Sequence, residues 1–200
     1  ILQQAAIDLE PFPESDAGSG LLTPAASDFQ SYAGSQDGGG PLNVTNDNQT
    51  IEFVGNIWRR LQVDYTVTPD TVLRFQYQSS EPPDISAIGF DNDNNFANNN
   101  NFFFLNGVQT NGIAYSAPIA QFRYDESGDE VTVEIPVGQF FTGGFSHLTF
   151  INDDDIPPQT GNATFSNITL TEGPPGPGIP AEQLAQIENF ENQYSQILEQ

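Results

Sequence analysis

Cysteine, lysine and methionine are all absent from this chain of 200 residues, and cations are scarce. Four arginines, Arg59, Arg60, Arg74 and Arg123, and one histidine, His147, stand against 27 acidic residues, giving a formal charge of −23. Each absence closes a class of function. Without cysteine there is no disulfide framework, thiolate nucleophile or cysteine metal site. Without lysine there is no Schiff base and no phosphate-loop lysine. So negative a chain repels nucleic acid, whose binding needs cations to displace phosphate counterions, and it repels anionic membrane surfaces. No apolar run approaches the 18 residues of a membrane-inserted helix. A first residue other than Met fits a mature secreted chain that has lost a signal peptide, which predicts an extracellular or cell-surface location.

What is present is aromatic and amide-rich. Sixteen Phe, six Tyr and one Trp are core material, and only 16% of residues are charged. This composition predicts a folded domain with an acidic surface rather than a disordered chain. From residue 31 to 172 the hydrophobic period is two. Leu61, Val63, Tyr65 and Val67 alternate with polar residues, as do Leu73, Phe75 and Tyr77, and Val131, Val133 and Ile135. Turn sequences such as Thr68-Pro69-Asp70, Asn106-Gly107 and Gly143-Gly144 separate the runs. In 163–170 the phase slips between Phe165 and Ile168, which predicts a β-bulge. The expected fold is all-β: an antiparallel, jelly-roll-like β-sandwich over 31–172. An N-terminal arm precedes it (1–30), a Pro/Gly linker follows (173–179), and an amphipathic helix is predicted over 180–200. In that helix Leu184, Ile187, Phe190, Tyr194, Ile197 and Leu198 recur at three- and four-residue spacing.

Two acidic clusters each follow an apolar run: Asp91, Asp93 and Asn95 after Ile88-Gly89-Phe90, and Asp153, Asp154 and Asp155 after Leu148–Ile151. Oxygen donors on loops suit calcium, and a cation would relieve the repulsion among them. The spacing of Asp91, Asp93 and Asn95 begins like an EF-hand, but Phe96 and Phe102 stand where that loop needs Gly and Glu. Calcium is the expected cofactor; a solvated acidic turn is the alternative. Strings of carboxylates on polar loops do not suit general acid–base catalysis, and His147 has no nucleophile elbow to serve, so no enzyme is expected. Trp58, beside Arg59 and Arg60, is either a sugar-stacking platform or a buried core residue.

The blocks Gly55-Asn56-Ile57-Trp58-Arg59-Arg60, Thr66-Val67-Thr68-Pro69-Asp70-Thr71-Val72-Leu73, Ile88-Gly89-Phe90-Asp91-Asn92-Asp93, Ile135-Pro136-Val137-Gly138-Gln139 and Leu148-Thr149-Phe150-Ile151-Asn152-Asp153-Asp154 resemble a β-sandwich module of secreted bacterial polysaccharide-acting proteins, similar to carbohydrate-binding modules. The resemblance implies a non-catalytic sandwich, with metal at Asp91, Asp93 and the Asp153–Asp155 loop.

Two functions follow. The first is a self-assembling structural subunit of an extracellular filament or surface layer, whose partners are copies of itself. Its contacts would come from Ile1, Leu2, Ile7 and Leu9 of the arm and from the apolar stripe of the C-terminal helix, with strand addition as one route. The alternative is a calcium-dependent carbohydrate-binding or adhesion module that uses Trp58, Arg59 and Arg60 on a polysaccharide.

Overall fold

The computed structural model describes residues 20–96, 101–109, 122–124 and 128–173. Within them the alternating runs become ten strands. These are β1 (Phe29–Ser31), β2 (Leu42–Thr45), β3 (Thr50–Val54), β4 (Ile57–Val67), β5 (Thr71–Gln78), β6 (Ile85–Asp91), β7 (Phe102–Asn106), β8 (Val131–Ile135), β9 (Gly143–Asp153) and β10 (Asn162–Glu172). The described residues contain no helix beyond three-residue 3₁₀ turns. The predicted helix over 180–200, its linker beyond Gly173 and the arm residues 1–19 lie outside the described residues.

All pairing is antiparallel, in two five-stranded sheets of order β1-β4-β9-β6-β7 and β2-β3-β10-β5-β8. Without β1 and β2, the orders 4-9-6-7 and 3-10-5-8 are those of a jelly roll, two Greek keys folded face to face. The inward faces carry the alternating aromatic and aliphatic side chains, including Phe53, Phe75, Tyr77, Phe90, Phe150 and Phe165, all 1% exposed or less. Phe165 meets Phe53, Phe75, Tyr77 and Phe150 at 5.2–6.0 Å between ring centres, so one residue ties both sheets together. Phe29, two residues before the expected start of the sandwich, already belongs to this core.

The phase slip in β10 is a bulge: the register to β5 shifts between Ser166 and Thr169, with Asn167 at φ 53°. A second bulge, not expected from the sequence, lies in β4. Gln62 faces His147 and Tyr65 faces Phe145, so three steps on β4 match two on β9, with Asp64 at φ 44°.

The outward faces of the two sheets differ. On the second sheet Asn43, Glu52, Thr164 and Gln78 form one cross-strand row, and hydroxyl and amide groups dominate. On the first sheet the outward face is aromatic: Tyr32, Trp58, Ile85, Phe102, Phe104 and Ile151 form a second buried cluster, with Phe96 packed against it. β7 therefore buries Phe103 and Leu105 on one face and Phe102 and Phe104 on the other, which is why its sequence reads as an unbroken apolar run. Gly89 makes room for this layer, because a Cβ there would meet the Phe102 ring at 2.5 Å.

Candidate functional site

A groove of about 880 Å³ opens on one flank of the sandwich. One wall is the segment Gly20–Asp28, and the other is β4 from Leu61 to Tyr65. Its floor is apolar: Leu21, Leu22, Leu61, Val63, Tyr65 and Leu170. Its rim carries Thr23, Ser27, Asp28, Gln30, Gln62 and Asp64, so among the described residues its charges are two carboxylates.

Local sequence explains both walls. Gly20 adopts φ 55°, where a Cβ would lie 1.9 Å from the Leu170 carbonyl oxygen; only glycine lets the chain lie so close to β10. The Leu22 N–H then donates to the Ile168 carbonyl, and the Leu170 N–H donates to the Gly20 carbonyl. Beyond Pro24 the 3₁₀ turn Ala26–Asp28, in which the Ala25 N–H donates to the Asp28 carboxylate at 2.8 Å, swings the chain across to the other sheet as β1. Tyr65 is the aromatic group of the floor. Its hydroxyl donates to Glu172, which also accepts from Thr68 and Thr71. Burial, then the Glu172 carboxylate, push the Tyr65 phenol up to about 12, so it is neutral under physiological conditions. Burial opposes charge on Glu172, but the three hydroxyl donors outweigh it and hold its carboxyl below the usual range. The ring is thus fixed at its polar end and half-exposed along its side.

The residues singled out from the sequence lie elsewhere. Trp58 is 3% exposed: it stacks on Tyr32 at 6.3 Å, meets Phe96 edge-on at 5.4 Å, and donates its Nε1–H to Asp153 at 3.1 Å. Of the two readings of Trp58, the buried core residue is the one that holds, in the outer layer. Arg59 faces inward at the sheet margin and is paired with Asp37, and Arg60 donates to Gln30 at 3.1 Å, so both guanidinium groups serve the fold.

The two acidic loops do not converge. β6 and β9 are antiparallel neighbours, with Asp91 opposite His147 and Asp153 opposite Ile85. Loops that follow the ends of two antiparallel strands leave at opposite ends of the sheet. Asp91 accepts from the Tyr32 hydroxyl, Asp93 accepts from the Asn95 N–H, and Asn94 caps Ala33. At the far end Asp154 accepts from the Gly161 N–H at 2.7 Å, and Asp153 binds Trp58. Burial raises the Asp153 carboxyl above the ordinary range, with repulsion from Asp155, Asp84 and Asp154 adding to it. Among the described residues no group of three or more His, Asp or Glu is arranged to hold a metal ion. The two acidic loops named as calcium sites from the sequence are therefore separate, at opposite ends of one sheet.

His147 lies 3.0 Å through Nδ1 from the Ser146 hydroxyl, but that hydroxyl is also within 3.3 Å of Asn92. Burial and then Arg60 hold the imidazole below its usual value. Among the described residues no helix is long and apolar enough to cross a membrane.

No family profile and no curated protein matches the sequence. Among solved structures the sandwich is similar in fold to carbohydrate-binding modules. A family 29 carbohydrate-binding module is 12% identical, over 77% of this chain and 86% of that one, at TM-score 0.39. The K2 cleaved adhesin domain of Lys-gingipain is 14% identical, over 81% and 97%, at TM-score 0.37. The Endo-D glycoside hydrolase domain from Streptococcus pneumoniae R6 is 10% identical at TM-score 0.43; the match takes in 67% of this chain and only 20% of that one. The likeness is one of β-sandwich architecture.

Proposed function

We propose that this chain is a non-catalytic, secreted or cell-surface adhesion module that holds a neutral polysaccharide in the flank groove. The observation that carries the reading is the groove itself. Its volume of about 880 Å³ lies within the usual range of ligand clefts, and an apolar floor beneath a rim of amide, hydroxyl and carboxylate groups matches the two surfaces of a sugar ring. Tyr65 offers a fixed, neutral ring side for stacking. Gln30, Gln62 and Asp64 offer donors and acceptors for hydroxyls. Among the described residues no cation lines the groove, which favours neutral glycans over sulfated or uronate polymers.

Affinity electrophoresis of the full chain through neutral and anionic polysaccharides tests this reading. Retardation by a neutral polymer is expected, lost on Tyr65→Ala and weakened about tenfold on Gln62→Ala, as for one lost hydrogen-bonding side chain. The Gln62→Ala change is exposed and leaves the fold intact. Preference for anionic polymers, or retardation indifferent to both changes, would refute it.

A further inference from the structure

The partners already taken along the groove rim decide what the rim has left to offer. Gln30 Oε1 accepts from the Arg60 guanidinium at 3.1 Å, so its amide N–H groups are what remains for a ligand. Gln62 is set the other way: its Nε2 donates to Asp64 Oδ2 at 2.7 Å, which leaves its Oε1 to accept. Asp28 accepts from the Ala25 N–H through Oδ2 at 2.8 Å. Among the described residues nothing donates to the second oxygen of Asp28 or of Asp64, and both residues are exposed. The rim therefore holds acceptors that need N–H or O–H donors, and at Gln30 it holds an amide donor that needs an acceptor.

The floor differs from one built only to stack sugar rings. Among the described residues Tyr65 is its one aromatic side chain, and Leu21, Leu22 and Val63 beside it are aliphatic and half-exposed. Aliphatic surface has no π face for a ring, but it takes methyl groups out of water. A sugar that carries only hydroxyls brings no methyl group; an acetamido sugar does. It also brings an N–H that only donates and a carbonyl that only accepts. We propose that the groove selects glycans bearing acetamido groups, with the methyl on the aliphatic floor, the N–H on a free rim carboxylate oxygen and the carbonyl on the Gln30 amide. The group is uncharged, so the polymer stays neutral beside a rim that carries two carboxylates and, among the described residues, no cation. A hydroxyl in its place is too short to meet all three partners. A free amine satisfies the carboxylates and leaves the floor and Gln30 unanswered. The inference rests on the polysaccharide reading and narrows it to one class of sugar.

The test is isothermal titration of the full chain with three soluble oligosaccharides of one backbone and length. Their rings differ only in bearing a hydroxyl, an acetamido group or a free amine beside the anomeric carbon. High salt screens plain attraction between the amine and the acidic surface. The acetamido form is expected to bind about tenfold more tightly than the hydroxyl form, the low end of what one added carbon in an apolar site is worth, and more tightly than the amine form. Gln30→Glu keeps the acceptor for Arg60 and removes the amide donor. It is expected to weaken binding of the acetamido form about tenfold, as for one lost hydrogen bond. The hydroxyl form should change much less, and the melting temperature should hold. An acetamido form no tighter than the other two overturns the inference, and so does a preference that survives Gln30→Glu undiminished. The two readings fail separately. Equal binding of the hydroxyl and acetamido forms, abolished by Tyr65→Ala, keeps the polysaccharide in the groove and removes only the selection; a chain that binds none of the three removes both.

Discussion

At the scale of single residues, Asp153 has the most testable position. Its carboxylate is held against Trp58 by one hydrogen bond and opposed by burial and by Asp155, Asp84 and Asp154. A folded-state pKa above the unfolded one means the native state binds the extra proton. Stability is then greatest below the unfolded value and falls as pH rises toward the folded one. Asp153→Asn keeps an oxygen acceptor for the indole N–H and removes the charge. It is expected to raise the melting temperature at pH 7 by about 2–4 °C, the shift that about 1 kcal/mol produces in a chain of this size. Below pH 4 the gain should vanish, because the native carboxyl is then protonated. Calorimetry at both pH values decides it; a lower melting temperature at pH 7 would mean that the carboxylate is used, for instance by a bound cation. The opposite case is Asp37. Burial opposes its charge, but hydrogen bonds and the Arg59 guanidinium outweigh it and lower its pKa. Its contribution is present at neutral pH and is lost as acid protonates it. Asp37→Ala, which strands Arg59, is expected to cost about 3 kcal/mol by urea unfolding at pH 7, and the cost should shrink only as pH falls below the ordinary carboxylate range.

At the scale of the element, alternation carried most of the fold. Strands β3, β4, β5, β8 and β9 lie where Ile51, Leu61, Leu73, Val131 and Leu148 begin their alternating runs. The bulge in β10 was legible because Phe165 and Ile168 fall out of phase, whereas the one in β4 was not. There Leu61, Val63, Tyr65 and Val67 keep an even spacing in sequence, and the extra residue shows only in the partner strand. Asn167 and Asp64 carry the positive φ of the two bulges, which asparagine and aspartate tolerate and β-branched residues do not. Asn167→Val is expected to destabilise by about 1–3 kcal/mol and Asn167→Gly by less. Denaturant midpoints would check the order; a valine variant as stable as the glycine one would show that the bulge can shift. The site was less legible for a related reason. A sole Trp beside two arginines looks exposed in one dimension, yet alternation puts Trp58 on the outward face that Tyr32, Phe96 and Phe102 cover. The groove was hidden because Leu21 and Leu22 sit among small polar residues, and their partners on β4 and β10 are distant in sequence.

At the scale of the whole molecule, a charge of −23 sets the conditions under which anything can approach it. Two copies repel each other, and the groove rim itself carries Asp28 and Asp64. Salt shortens the reach of that repulsion to about 8 Å at physiological strength and about 3 Å at 1 M. Any contact between copies is therefore expected to strengthen as sodium chloride is raised from low concentration, while binding of a neutral glycan stays nearly constant. Light scattering and affinity measured across the same salt series would separate the two processes. Association that weakened with salt would point to ion pairs, which four arginines largely engaged in the fold are poorly placed to make.

The burial of the sole tryptophan also makes the protein its own optical instrument. All indole emission comes from Trp58, wedged between Tyr32 and Phe96 on the outer layer and well away from Phe165 at the centre of the sandwich. Fluorescence therefore watches the outer layer, and far-ultraviolet circular dichroism watches the strands. The outer cluster is built on β4, β6, β7 and β9, whose other faces form the core, so the two signals are expected to melt at one temperature. An earlier fluorescence transition would show the aromatic outer layer peeling from a sandwich that is still folded. A red-shifted spectrum in the native state would mean that the layer is already open to solvent.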